Sequence, residues 1–406
     1  MHRFSGPINP MSAGGSGNRE RYNGHGRKDA LGPTLRPAVP FATLDRDHEE
    51  IADELRAAFD RVVSRSAFVL GEEIEAFEAD WARACMTSEC VGVSSGTAAL
   101  AILLRATGIV PGEEVIVPAH TYIATALAVL HVGAVPVLCD VEEDTGLLDV
   151  DAAAVAIIFR TAGIVAVHLY GQFCDMPAVR TLAERHGIAV FEDAAQAHGG
   201  ECGGTRAGGF GSGAAFSFYP SKNLGALGDG GAICTNDRDI AERARQLRNL
   251  GQRSRDDHVS VGGNERLDGL QAALLRAKLP RLDAANLARR RHASTYRRAL
   301  DGRARLLEER PVTPCVYHVF PVRAYERDGL SAQLASEGIA TRVHYPLALH
   351  QQPALRGLTK VPGELSRTEA WAREELSLPM SPSLTTAEVE RVAESCEKAI
   401  RAGALS

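Results

Sequence analysis

The chain changes hydrophobic period many times. From Asp45 to Val63 apolar residues recur at helical spacing (Ile51, Leu55, Ala58, Phe59, Val62), and a second helical pattern covers 72–84. Short β-rich runs then alternate with helical segments: CVGVSS, a helix over 97–107, EVIVPA, a helix over 123–132 and VPVLCDV. The alternation continues through GIVAVHLY, a helix over 176–186, IAVFED, AAFSFY, GAICT and a helix over 239–250. Strands alternating with helices of this length predict an α/β fold with a mostly parallel sheet covered on both faces. Ligands of such sheets bind beyond the carboxyl ends of the strands.

A long helical pattern from Leu267 to Leu300 follows, in which Pro280 should kink or break the helix. Beyond residue 311 come VYHVFPV, a helix over 330–337, ATRVHYPL and a last helix over 386–402, the pattern of a smaller α+β domain. The chain therefore divides into a flexible extension over residues 1–37, rich in Gly, Pro, Asn and Arg, a large domain over 38–280 and a small domain over 281–406.

Composition adds a class and some exclusions. With 406 residues, 45% hydrophobic and 24% charged, the chain is an ordinary globular protein. A formal net charge of −6 disfavours nucleic acid or an anionic membrane as partner, so an anionic ligand must be held by local groups. Eight scattered cysteines without Cys-x-x-Cys or zinc-type spacing predict buried, reduced thiols, a cytoplasmic location and no metal site. The apolar stretch from Ile123 to Val141 is interrupted by His131, Gly133 and Pro136, which fits a helix followed by a strand better than a membrane span. No signal peptide is expected from the first residues.

Three segments carry candidate chemistry. In VGVSSGTAALAIL a strand ends at Val93, Ser94–Gly96 turn and a helix starts at Thr97, so free amides could hold a phosphate. The same arrangement occurs in α/β proteins that bind nothing there. In FEDAAQAHGG, Asp193 and Gln196 follow a strand, where a carboxylate can keep a pyridine nitrogen protonated and an amide can bond a phenolic oxygen. Helix capping is the plainer reading of Asp193. In FSFYPSKNLGALGDGG a strand delivers Ser217 and then Lys222 into a Gly-rich loop, and a desolvated lysine there could form an imine and shuttle protons. GGFGSG does not follow a strand and open a helix, which disfavours a nicotinamide site.

The ordered motifs SSGTAAL, VIVPAHTYIAT, HLYGQFCDM, EDAAQAHG, FSFYPSKNLGALGDGGA, GGNERLDGLQAAL and RVHYPLALH resemble those of the DegT/DnrJ/EryC1/StrS family of sugar aminotransferases, from about Val39 onward. The resemblance implies the aspartate aminotransferase fold (fold type I) and pyridoxal 5'-phosphate (PLP) as cofactor. It implies Lys222 as the Schiff-base lysine, Asp193 at the pyridine nitrogen and Gln196 at the phenolic oxygen. Gly96, Thr97 and Ser217 would hold the phosphate, and Tyr122 would stack on the ring. Asn264 would reach the phosphate of a neighbouring subunit, making a homodimer with composite sites, and His344 and Tyr345 would line the substrate pocket. A lysine at position 222 argues against the family's deoxygenating branch, which carries histidine there. The activity implied is transfer of an amino group from glutamate to a nucleotide-linked keto sugar. The FYPSKNLGALGDGGA segment looks more like members acting at C3 of a dTDP-3-keto-6-deoxyhexose. C4 amination, an inosose substrate and a non-catalytic PLP-binding regulator are the alternatives.

Overall fold

Strand polarity follows from what separates the strands. In a computed structural model that describes residues 38–401, the central sheet has seven strands. They are β1 (Glu89–Val93), β2 (Glu114–Pro118), β3 (Val135–Cys139), β4 (Thr161–Val167), β5 (Ala189–Asp193), β6 (Gly213–Ser217) and β7 (Gly231–Thr235). Their order is β1-β7-β6-β5-β4-β2-β3. Helical crossovers link β1 to β2, β2 to β3 and β4 to β5, and the neighbours β3-β2-β4-β5-β6 all pair in parallel. No helix separates β6 from β7, so β7 returns antiparallel to β6 and pairs antiparallel with β1. The connecting loop, 218–230, carries Lys222.

Both faces of the sheet are covered, as the near-continuous apolar strands require: every residue of β2 and β7 is buried. Helices Gly96–Thr107 and Glu72–Cys85 pack against it. Trp81 of the latter meets Phe216 of β6 edge-on, ring centroids 5.1 Å apart, anchoring the helix beneath the site.

A second, three-stranded antiparallel sheet comprises β8 (Arg305–Leu306), β9 (Phe320–Arg323) and β10 (Glu375–Leu378). Helices Leu282–Leu300, Arg327–Ser336 and Thr386–Ala399 accompany it. The long helical pattern is interrupted as expected: helix Gly269–Lys278 gives way at Pro280 to a 3₁₀ turn, Leu279–Arg281, before Leu282–Leu300 begins.

Some expectations need correction. The helix expected from Asp45 to Val63 is two helices, Leu44–Glu49 and Ala52–Arg65, because Ile51 leaves helical backbone (φ −126°, ψ 23°). ATRVHYPL is not a strand: Arg342 alone bridges to Ser377, after which the chain turns into the site. Of VYHVFPV only its last three residues pair, as the start of strand Phe320–Arg323. Helices Val150–Ala156 and Ser366–Glu374 were not anticipated. The expected extension over residues 1–37, and Ala402 at the end of the expected last helix, lie outside the described residues.

Candidate active site

The site forms where β1, β5 and β6 end. Gly231, the first residue of β7, is the register partner of both Val93 and Ser217, so the turn after β1 passes directly over it. A Cβ at Gly231 would lie 2.3 Å from the Ser95 carbonyl oxygen, which only glycine avoids. Gly96 is equally constrained, because a Cβ there would come within 2.6 Å of the Ser217 Cβ. The helix starts at Gly96, one residue before the position expected from sequence. Ser95 caps it, its hydroxyl accepting from the Ala98 amide at 3.1 Å. The Gly96 and Thr97 amides make no hydrogen bond among the described residues, leaving two N–H donors beside the Ser217 hydroxyl. That donor set fits a phosphate group.

Asp193, the last residue of β5, is held at both oxygens. Thr125 donates its hydroxyl to Oδ2 at 2.8 Å and the Ala195 amide donates to Oδ1 at 3.2 Å. Gln196 is fixed at both ends of its amide: Oε1 accepts from the Tyr170 backbone N–H at 2.7 Å, and Nε2 donates to the Tyr345 hydroxyl at 3.1 Å. Tyr170 presents that N–H from left-handed backbone (φ 63°), a conformation an L-residue adopts only when its surroundings hold it. Here the Tyr170 hydroxyl is held by His120 Nε2 at 2.7 Å and donates to the His344 carbonyl at 2.8 Å. Tyr122 and Tyr345 bring their rings to 5.2 Å, tilted by 38°.

Lys222 lies within electrostatic reach of Asp193. Desolvation by the surrounding protein pushes its pKa down to about 8, and the attraction of Asp193 only partly opposes this. The next residue anchors the loop. Asn223 donates to Asn286 Oδ1 at 2.9 Å and to the Val316 carbonyl at 3.1 Å, while its own Oδ1 is 3.2 Å from His318 Nδ1. Burial drives His318 and His198 far toward the neutral form, and the Lys222 charge adds to the effect in both. Two uncharged imidazoles therefore lie within electrostatic reach of the amine.

The structure brings together Lys222, Asp193, Gln196, Tyr122 and Tyr345, and separately Gly96, Thr97 and Ser217. The two groups are linked through His198, which senses both Lys222 and the Ser217 backbone. Asn264 is not brought in. It is exposed, bridges backbone with Asn249, and makes no side-chain hydrogen bond to Lys222, Asp193 or Gln196. The carbonyl of its neighbour Glu265 accepts from the Ser94 amide at 3.0 Å, so Asn264 is one residue along the chain from a contact with the turn before Gly96. His344 stands behind Tyr345, its peptide bond to Tyr345 being cis. Thr125, Tyr170, Asn223, His318 and Glu375 were not singled out from sequence. Tyr170 lies in the quoted motif HLYGQFCDM and Asn223 in FSFYPSKNLGALGDGGA, but no pattern there assigns them a partner.

Among the described residues, no group of three or more His, Cys, Asp or Glu is arranged to hold a metal ion, and no helix is long and apolar enough to cross a membrane. All eight cysteines are buried and unpaired.

Comparison with known proteins gives this geometry its context. The chain is 47% identical over 358 residues to the dTDP-3-amino-3,4,6-trideoxy-alpha-D-glucose transaminase of Streptomyces venezuelae, covering 88% of this chain and 94% of the relative. A crystal structure of S. venezuelae DesV superposes with a TM-score of 0.88 at 46% identity, covering 90% of this chain and 99% of that one. Bacillus subtilis NtdA, solved with bound cofactor PMP, superposes with a TM-score of 0.83 at 31% identity, covering 91% and 86%. The model of the DegT/DnrJ/EryC1/StrS aminotransferase family matches residues 49–397, and the chain belongs to that family of fold type I transaminases.

Proposed function

We propose that the enzyme uses PLP to move an amino group from glutamate to C3 of a dTDP-linked 3-keto-6-deoxyhexose. The observation that carries this reading is the convergence of Lys222 with Asp193 and the doubly held Gln196 at the carboxyl edge of the sheet. The phosphate of the cofactor would lie on the Gly96 and Thr97 amides and the Ser217 hydroxyl, its ring nitrogen toward Asp193, its phenolic oxygen toward Gln196 and its ring against Tyr122. When bound, PLP supplies an electron sink for the carbon that carries the amino group.

The residues of the chain supply the rest. With a pKa of about 8, roughly a tenth of Lys222 is unprotonated at pH 7, enough for the amine to accept and return a proton without a large penalty. Thr125 and Ala195 hold the Asp193 carboxylate in one orientation, so no reorganisation is needed when positive charge approaches. Neutral His198 and His318 add no charge that would oppose protonation of Lys222 further. His344 and Tyr345 would face the substrate. Alternation of donor and acceptor on one site predicts ping-pong kinetics.

Exposed Asn264 would complete the phosphate site of a second subunit, making a homodimer with composite sites. On this reading the chain would divide at about residue 280 into a large cofactor domain and a small domain that includes β8–β10. A cytoplasmic location fits the eight reduced thiols. The C3 preference draws on the name of the S. venezuelae relative, which covers nearly its whole length. The test supplies dTDP-3-keto and dTDP-4-keto sugars with glutamate and locates the new amine by NMR. Faster amination at C3 is expected. Faster amination at C4, or turnover of an inosose alone, would replace the substrate while leaving the transaminase intact, and no amination with an unchanged absorbance on adding glutamate would favour a PLP-binding regulator.

A further inference from the structure

Behind the site, β10 presents a buried carboxyl group to His344. Glu375 is fully buried, and its Oε2 accepts from the His344 backbone N–H at 2.6 Å. Its Oε1 is hydrogen-bonded to the Ser377 hydroxyl, which is buried as well and lies 2.9 Å from His344 Nδ1. Glu375, Ser377 and His344 thus form a chain in which each link must donate in the same sense.

We propose that Glu375, acting through Ser377, sets which ring nitrogen of His344 carries the proton, and hence whether His344 Nε2 accepts or donates a hydrogen bond. With Glu375 ionised, both its oxygens accept, so the Ser377 hydroxyl donates to Oε1 and His344 Nδ1–H donates to Ser377. Nε2 is then an acceptor. With Glu375 protonated, Oε1–H donates to Ser377, the serine hydroxyl donates to Nδ1, and the proton sits on Nε2. The two states differ by one proton: it enters at Nε2 as the Nδ1 proton passes to the Ser377 oxygen and the Ser377 proton to Glu375 Oε1, and it leaves by the reverse path.

The groups around Glu375 set where the change occurs. Arg327, on helix Arg327–Ser336, favours the ionised form. Arg323, its cross-strand partner on β9, is committed to Glu374 at 2.7 Å, and Arg342 meets Ser377 by backbone pairing. The Tyr170 and Tyr345 hydroxyls also lie within electrostatic reach of it. Burial outweighs these and moves the pKa of Glu375 up to about 8, so both senses of the chain fall within an accessible pH range. For the keto sugar, a donating Nε2 would suit a hydroxyl or carbonyl oxygen and an accepting one only a hydroxyl. That consequence rests on His344 lining the substrate pocket, whereas the chain of hydrogen bonds does not.

The test is nitrogen NMR of the holoenzyme labelled with ¹⁵N-histidine, the His344 signals being identified by their loss in His344→Gln. Wild type should show the Nε2–H tautomer at pH 7 and the Nδ1–H tautomer at pH 9.5. Glu375→Gln should show Nε2–H at both, because its amide N–H₂ can only donate toward Ser377 while its carbonyl accepts from His344. Ser377→Ala should abolish the pH-linked switch even if the glutamine variant folds poorly. One unchanging tautomer in wild type, or a wild-type switch in either variant, overturns the proposal. If the switch is seen but the KM for the keto sugar is the same in wild type and Glu375→Gln at pH 9.5, the relay stands and the placement of His344 in the substrate pocket fails.

Discussion

Thr125 and Asp193, 68 residues apart, are joined by a 2.8 Å hydrogen bond that ties helix Ile123–His131 to the end of β5. A hydrogen bond to a charged group is worth about 1.5–3 kcal/mol. Thr125→Val should therefore lower kcat/KM for glutamate roughly ten- to hundred-fold, with Thr125→Ser retaining most of it. Steady-state kinetics of the two variants checks this, and equal loss in both would assign Thr125 to packing.

Gly96→Ala forces its new methyl into Ser217, 2.6 Å away. Overpacking of this kind costs about 1–3 kcal/mol. Because the clash falls on the phosphate donors, PLP affinity should drop by more than the unfolding free energy of the cofactor-free protein. Equilibrium dialysis with PLP, set beside denaturant unfolding, separates the two effects.

Two desolvated groups, buried Glu375 and half-buried Lys222, should tilt the stability of the cofactor-free protein against pH in opposite directions. Glu375 has a folded pKa raised to about 8 from 4.5, so between those values the native state holds a proton the unfolded chain releases, and stability falls as pH rises. Lys222 has a folded pKa lowered to about 8 from 10.5, so above pH 8 the unfolded chain holds the extra proton and stability rises. Glu375→Gln should flatten the decline between about pH 5 and 8, and Lys222→Met the gain between about pH 8 and 10. Chemical denaturation across that range, compared with wild type, reads both slopes.

What the sequence disclosed follows from how local each signal is. Asp193, Ser217 and Lys222 were legible because each sits at or just beyond a strand end, and the alternating pattern marks strand ends. Gly96 was legible as part of a turn, although its true constraint, the packing of Ser217 over it, was not. Thr125, Tyr170 and Glu375 act on partners across the fold: Glu375 is 31 residues from the His344 amide it holds, and nothing in ARE-E-LSLP distinguishes it from its neighbour Glu374. The ATRVHYPL segment misled because its β-branched and aromatic residues mimic a strand, whereas only Arg342 finds a pairing edge before the chain turns to Tyr345. The split at Ile51 was hidden because its apolar side chain continues the helical stripe even though its backbone departs from it.

Exposed Asn264 should serve the cofactor of a partner subunit. Mixing Lys222→Ala with Asn264→Ala chains then yields heterodimers with one intact and one doubly damaged site, and activity should exceed that of either parent. Absence of recovery in verified heterodimers would return Asn264 to its own chain or remove it from the site.

Lys222 is the residue expected to bond the cofactor, and one measurement addresses that directly. The purified protein is saturated with PLP, reduced with borohydride and digested, and the peptides are sequenced by mass spectrometry. A pyridoxyl-phosphate adduct on Lys222, absent when the enzyme is first treated with glutamate, is the predicted result. An adduct on another lysine, or labelling of Lys222 that glutamate leaves unchanged, would contradict it.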